Sequence, residues 1–335
     1  MMRNCLRLLV ALLVLLPAMA AAEPIKLKLA FFSSDRTHLY RSAVKPFVDA
    51  VNAQGRGLVE IEVTLSGKLG NDLSKQSQLV LDGTADIVYV VQPYERSAFP
   101  DSAVIELPGL YRDGREATLA FTRLVAAGLM RGFKDFYVIG AFASEPESIH
   151  TRPSVASLAD LKGKRIRANN DTEIAILTML GATPAFVPIN RTAEAISSGK
   201  IDGALVPPAP MMEFGIGRVA PNHYLLGTSS VPLSLLMSQK KFDSLPANVQ
   251  VIIRKHSGDW FLENYNRVNE SSTALVLAQL ESDPHRKVVV PSKADMQTAN
   301  AIFKSIVDDY AAANPHNAAL AGAARTAVAK PRMDE

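Results

Sequence analysis

The chain has 335 residues, 48% of them hydrophobic and 21% charged, with 36 Lys plus Arg against 33 Asp plus Glu. That is the composition of a folded protein long enough for two domains, and it argues against disordered, collagen-like and solenoid architectures for the body of the chain. A formal net charge of +3 without a basic stripe argues against a nucleic-acid partner.

The first 22 residues differ in kind from the rest. Arg3 and Arg7 precede an apolar run over 8–16, followed by Pro17 and the small residues Ala18, Ala20, Ala21 and Ala22. This reads as a signal peptide over 1–22, too short in its apolar part to span a membrane, so the expected product is a periplasmic chain that is not membrane-inserted once cleaved before Glu23. The alternative is an uncleaved N-terminal anchor. The only cysteine, Cys5, precedes the apolar run, whereas a lipid-attachment cysteine would follow it. The mature chain then holds no cysteine and relies on core burial rather than disulfides.

Beyond the signal peptide, short β-like runs alternate with amphipathic stretches. Strands are predicted over 25–32, 59–65, 86–91, 136–142, 164–169, 185–188, 203–207, 232–238 and 287–290, and helical spacing occurs over 39–51, 72–81, 115–130, 172–180 and 192–197. Such alternation predicts α/β layers with largely parallel sheets. The breaks at Glu145-Pro146 and Arg152-Pro153, after which the rhythm restarts at Lys164, divide the chain into two lobes. From Ala247 to about Leu280 an amphipathic stretch without proline reads as one long helix bridging the lobes. Lobe I is expected over 23–146 with 231–262 returning, lobe II over 147–230 with 263–312 returning, and a flexible tail over 313–335.

Catalytic and metal-binding patterns are missing from the sequence. It contains no H-E-x-x-H, G-x-S-x-G, G-x-G-x-x-G or C-x-x-C, and none of its six histidines is paired at i, i+3 or i+4. The histidines read as loop or core residues, and no cofactor or metal is expected.

The stretch Asp160-Leu161-Lys162-Gly163-Lys164-Arg165-Ile166-Arg167 resembles the signature of the extracytoplasmic solute-binding proteins of TRAP transporters, the tripartite ATP-independent periplasmic systems of DctP-like type. Further fragments follow that family's order: Ser66-Gly67-Lys68-Leu69-Gly70, Asp82-Gly83-Thr84-Ala85-Asp86, Glu106-Leu107-Pro108, Gly181-Ala182-Thr183-Pro184, Gly199-Lys200-Ile201-Asp202-Gly203 and Ser244-Leu245-Pro246. The resemblance implies the two-lobed periplasmic binding protein fold, an organic carboxylate ligand, and small and large integral membrane subunits as partners. It also implies that Arg167 contacts the ligand carboxylate. Physically, Arg167 lies near the carboxyl end of a predicted strand, where open α/β sheets place ligands, and its planar fork matches both oxygens of a carboxylate. Arg165 on the same face reads as a surface ion-pair residue.

Other candidates for the ligand site are Arg152, as ligand contact or hinge residue, Asn170, as carboxylate donor or helix cap, Ser33, Gln92, Val91, Ile189 and Val206. Asp202-Gly203 is followed by Ala204, Leu205, Val206, Pro207 and Pro208, and the strand from Asp86 ends in Val90 and Val91, with Phe32 and Met211 as further apolar surface. A ligand hydroxyl buried against such groups without a partner costs about 1–3 kcal/mol. An aromatic or apolar monocarboxylate is therefore expected, unless these residues are core. A small 2-oxo or 2-hydroxy acid is the alternative ligand. A sensor-associated binding protein of the same fold and, more distantly, an exported enzyme are the alternative functions.

Overall fold

The computed structural model describes residues 23–329, so the predicted signal peptide and Cys5 lie outside the described residues. The strands are β1 (Ile25–Ala30), β2 (Val59–Thr64), β3 (Ile87–Val91), β4 (Phe136–Ala143), β5 (Ser148–Thr151) and β6 (Arg165–Ala168). They continue with β7 (Thr183–Phe186), β8 (Gly203–Val206), β9 (Asn222–Tyr224), β10 (Pro232–Ser238) and β11 (Lys287–Val289). Two sheets result, one in the order β2-β1-β3-β10-β4 and one in the order β11-β9-β5-β8-β6-β7. In the first, β1 runs parallel to β2 and β3 while β10 is antiparallel to β3 and β4; in the second, β6 is parallel to β7 and β8 while β5 is antiparallel to β8 and β9. Both sheets are mixed rather than largely parallel, because β10 and β5, which adjoin the crossings between the sheets, each run antiparallel to their neighbours.

Strand β3, Ile-Val-Tyr-Val-Val, is buried at every position because helices cover both faces of the first sheet. Strands β5 and β9 were not legible in the sequence. They are four and three residues long, and each carries a histidine where an apolar residue would have signalled a buried strand. His150 and His223 face one another across this pair, Nδ1 to Nδ1 at 2.8 Å, and both are fully buried.

The two sheets are joined by two antiparallel crossings. Ser144 N donates to Val231 O at 3.0 Å, Glu147 N to Ser229 O at 2.9 Å, and Thr228 N to Glu147 O at 2.9 Å. The predicted single bridging helix is instead two, Ala247–Lys255 and Asp259–Ser282, because Gly258 adopts φ +58°, which a continuing helix cannot contain. The second helix still bridges. Phe261 packs against β4 where Gly140 leaves space, since a Cβ there would sit 2.3 Å from the ring, and Leu280 joins the core of the second sheet. The helix Lys293–Ala312 also straddles, with Ala299, Phe303 and Ile306 in the second core and Val307 in the first.

The expected flexible tail over 313–335 is corrected by a helix, Pro315–Ala329, which packs on the helix Gly114–Ala126. It buries Leu320, Ala321, Ala324 and Ala327, and the side chain of Asn314 accepts from Asn317 N at 2.9 Å at its start. Alanines give little hydrophobic contrast in a sequence, yet their small side chains allow two helices to approach closely. Removing residues 314–335 should destabilise the chain by roughly 3–5 kcal/mol through lost burial. A lowered urea midpoint checks this, and an unchanged midpoint would restore the flexible tail.

Candidate functional site

The site begins at the turn before β6. Ser157 and Asp160 form a reciprocal cap, and Gly163 turns the chain at φ +73° into the strand. Arg165 is half-exposed and pairs with Asp202 at 3.3 Å, whereas Arg167, two residues on, is only 1% exposed. Its Nε donates to Val187 O at 3.0 Å, Nη1 to Leu205 O at 2.9 Å and Nη2 to the Tyr94 hydroxyl at 3.3 Å. A guanidinium carries five N–H donors, so two N–H bonds, one on each terminal nitrogen, have no bonded acceptor among the described residues. Burial opposes its charge, but Tyr94, Glu173 and Glu147 outweigh that and strengthen its hold on the proton.

Arg167 borders a cavity of about 50 Å³ between the two sheets. By a measure in which one water needs roughly 10–15 Å³, that is room for a few atoms without any rearrangement. The first sheet contributes Phe32, Val91, Val231 and Leu233, and the second contributes Val206, Pro207, Ile189 and Phe214. Phe32, Val91, Ile189, Val206 and Pro207 sit at or just beyond the carboxyl ends of parallel strands, where α/β sheets place ligands, and Val231 and Leu233 reach the same edge at the start of the antiparallel β10. Polar groups at the cavity are confined to Arg167, Asn169, Tyr94, Ser144 and Glu147. Tyr94 ties the lobes together, since its hydroxyl also receives Ile189 N at 3.4 Å. A second tie links Glu213 to Arg41 at 3.1 Å and to the backbone N–H of His38.

Behind Arg167 lies a buried acidic group. Glu147 and Glu173 are both fully buried, and their carboxyls are within hydrogen-bonding reach of one another. Burial pushes Glu147 up to about 7 and also raises Glu173, which the neighbouring Glu147 carboxyl raises further. Glu106 is likewise pushed up to about 7 by burial, against the pull of Arg96, which donates to both of its oxygens at 2.5 and 2.6 Å. Among the described residues no cluster of His, Cys, Asp or Glu is arranged to hold a metal ion.

Residues 31–314 match the sequence profile of DctP, the bacterial extracellular solute-binding protein family 7. The chain belongs to that family. A solute-binding protein of Sulfitobacter sp. (strain NAS-14.1) is 26% identical over 244 residues, 71% of this chain and 73% of the relative. A marine metagenome TRAP solute-binding protein specific for aromatic acid ligands, solved with metahydroxyphenylacetate, is 25% identical, with TM-score 0.85 over 93% of this chain and all of that one. The fold is shared by a TRAP solute-binding protein from Rhodoferax ferrireducens T118, solved with copurified benzoate, at 22% identity and TM-score 0.81 over 91% of this chain and 98% of that one. Family 7 is a transport family rather than an enzyme family, and among the described residues no helix is long and apolar enough to cross a membrane.

Within this family-7 fold the sequence-derived residues separate into two groups. Arg167, Val91, Ile189 and Val206 line the cavity together, as does Phe32. The other four do not reach it. Arg152 is exposed and donates to Ser197 O at 3.4 Å. The register explains its position: β5 is antiparallel to β8, with Ser148 opposite Val206 and Thr151 opposite Gly203, so Arg152 emerges at the end of the sheet away from the cavity. The same register delivers Glu147 to the cavity. Asn170 is the cap of the helix Asp171–Met179, its side chain accepting from Glu173 N at 2.8 Å, and it is its neighbour Asn169 that lines the cavity. Gln92 turns into the core and donates to Ser234 Oγ at 2.5 Å. Ser33 is a loop residue whose carbonyl accepts from Ser66 N at 2.8 Å. Met211 is fully buried core.

Sequence reasoning missed Tyr94, Glu147, Asn169, Ser144 and Phe214. Tyr94 carried a usable signal, an aromatic three residues beyond the end of a buried strand; the others depend on how the lobes meet. The raised Glu147 has a consequence for stability. From an ordinary value of 4.5 to about 7 it stays protonated in the folded chain while ionising in the unfolded one, so its contribution is full below pH 4.5 and lost as pH rises through 7. The protein should therefore lose stability relative to Glu147→Gln as pH rises from about 5 through 7. Parallel pH profiles in chemical denaturation would contradict this. Separately, Tyr94→Phe leaves a buried guanidinium N–H without its acceptor and should cost about 1–3 kcal/mol, where an unchanged denaturation midpoint would show that the lobes do not depend on this tie.

Proposed function

We propose that this chain captures an aromatic or apolar monocarboxylate in the periplasm, after loss of residues 1–22, and delivers it to the small and large membrane subunits of a TRAP transporter driven by an ion gradient. The observation that carries the ligand class is Arg167, a buried guanidinium with two uncommitted N–H donors beside a cavity whose remaining walls are mostly apolar. A carboxylate takes both donors as a bidentate partner, and exclusion of water strengthens that pairing. Phe32, Val91, Val206, Phe214 and Leu233 suit a ring or a branched chain. The aromatic acid specificity of the metagenome relative supports the same assignment.

A small 2-hydroxy or 2-oxo acid is the second reading, favoured by the Ser144 and Asn169 side chains at the cavity. Either way the chain binds and releases its ligand without chemistry. Closure of the two lobes over the acid distinguishes loaded from empty protein, a difference in shape that membrane subunits recognise.

Thermal-shift titration of the mature chain against benzoates, cinnamates, branched 2-oxo acids and hexuronates tests this. At a hundredfold excess over Kd a ligand adds about 2.7 kcal/mol of stability, expected for aromatic or branched acids and abolished by Arg167→Ala. Arg167→Lys should weaken binding at least tenfold, because an ammonium cannot reproduce the fork. Preference for a hexuronate would overturn the apolar ligand, and stabilisation that survives Arg167→Ala would overturn the role of the arginine.

A further inference from the structure

We infer that Glu147 is a specificity residue that meets the bound acid as a neutral carboxyl, so that the protein takes up a proton as it captures an organic anion. The inference rests on the carboxylate reading above. Glu147 lines the cavity yet is fully buried, and its polar partners are few. Apart from its contact with the Glu173 carboxyl, it accepts only a long hydrogen bond from Ser229 Oγ, to Oε2 at 3.3 Å, and Oε1 has no neutral or cationic donor facing it among the described residues.

Its neighbour Glu173 is better provided for. Asn169 N donates to Glu173 Oε2 at 2.8 Å and Asn170 Nδ2 to Oε1 at 2.6 Å. Ionised carboxylates only accept hydrogen bonds, so two of them in contact must share at least one proton. The Glu147–Glu173 pair therefore carries at most one negative charge, reached as pH rises through about 7, and Arg167 balances it.

Among the described residues, the charged and titratable groups around Glu147 leave no other cation to spare. Arg167 faces it from β6, Glu173 from the helix after β6, and Glu106 from the helix Pro100–Glu106 with its charge already taken by Arg96. Tyr94 brings a hydroxyl, and the segment before β10 brings only Ser229. On its own strand, His150 is committed to His223 and to Val206 O, with burial holding it neutral. A ligand carboxylate arriving at Arg167 would be a second anion against a single guanidinium between apolar walls. Addition of one solvent proton to the pair restores the balance, forming an O–H bond on Glu147 that donates to an oxygen of the bound acid. No other bond is made or broken.

Calorimetry of the mature chain with benzoate, isobutyrate and 2-oxoisocaproate, each ionised throughout the range, tests the inference at about pH 6, 7 and 8 in buffers of unlike ionisation enthalpy. Uptake approaching one proton per ligand is expected at the upper end, with Kd weakening up to tenfold per pH unit. In Glu147→Gln, which carries a neutral donor permanently, binding should persist with no uptake and little pH dependence. The wild-type measurement stands even where that variant fails to fold, and in Glu173→Gln, which leaves Glu147 ionisable, uptake should persist; its loss there would assign the proton to Glu173 and overturn the inference. Binding without uptake and with a flat Kd overturns the inference alone. So does 3-hydroxybenzoate binding far more tightly than benzoate without uptake, which would make Oε1 an acceptor for a ligand hydroxyl. Failure of every acid to bind at any pH overturns the carboxylate reading and this inference together.

Discussion

The structure depends on the burial of one guanidinium. A charge removed from water costs several kcal/mol unless hydrogen bonds and opposite charge replace its hydration, and Arg167 is 1% exposed. The replacement comes from both lobes. Val187 O and Leu205 O belong to the second, whereas the Tyr94 hydroxyl belongs to the first. Main-chain carbonyls aim the fork, and Tyr94 makes its third hydrogen bond conditional on the lobes being together. The two remaining N–H bonds are the ones that, in the proposed function, a ligand completes.

Around that group the fold divides its labour. Two mixed sheets supply rigid walls, and the strand crossings at 144–147 and 228–231, together with the helices Asp259–Ser282 and Lys293–Ala312, join them. The apolar wall and the polar end of the cavity come from different parts of the chain. Its polar end is built from β6 and the first crossing, whereas most of its apolar surface lies at the ends of β1, β3, β8 and β10. A ligand with one anionic end and an apolar body satisfies both, while a uniformly polar one leaves hydroxyls against valine, proline and phenylalanine.

Much of this was legible in the sequence, for identifiable reasons. Periodicity located nine of the strands, and the Asp160-Leu161-Lys162-Gly163 turn placed Arg167 near a strand's carboxyl end. Val91, Ile189 and Val206 follow from the same rule about strand ends. Arg152 failed because β5 was unseen, and with it the antiparallel direction that sends Arg152 away from the cavity and brings Glu147 to it. Asn170 failed by one residue because an N-cap turns inward on its own helix. The long helix failed at a single glycine, and the tail failed because alanine-rich helices reveal their packing only through a partner. In each case the missing information was tertiary, a strand's direction or a neighbour's position, rather than local propensity.

The central claim is that Arg167 receives the ligand's carboxylate, and a crystal structure of the mature chain with a bound aromatic acid tests it most directly. The account predicts both carboxylate oxygens within hydrogen-bonding distance of the two Arg167 terminal nitrogens, with the ring between the Phe214 and Leu233 walls. A carboxylate held elsewhere, with Arg167 bonded only to Val187, Leu205 and Tyr94, would contradict it.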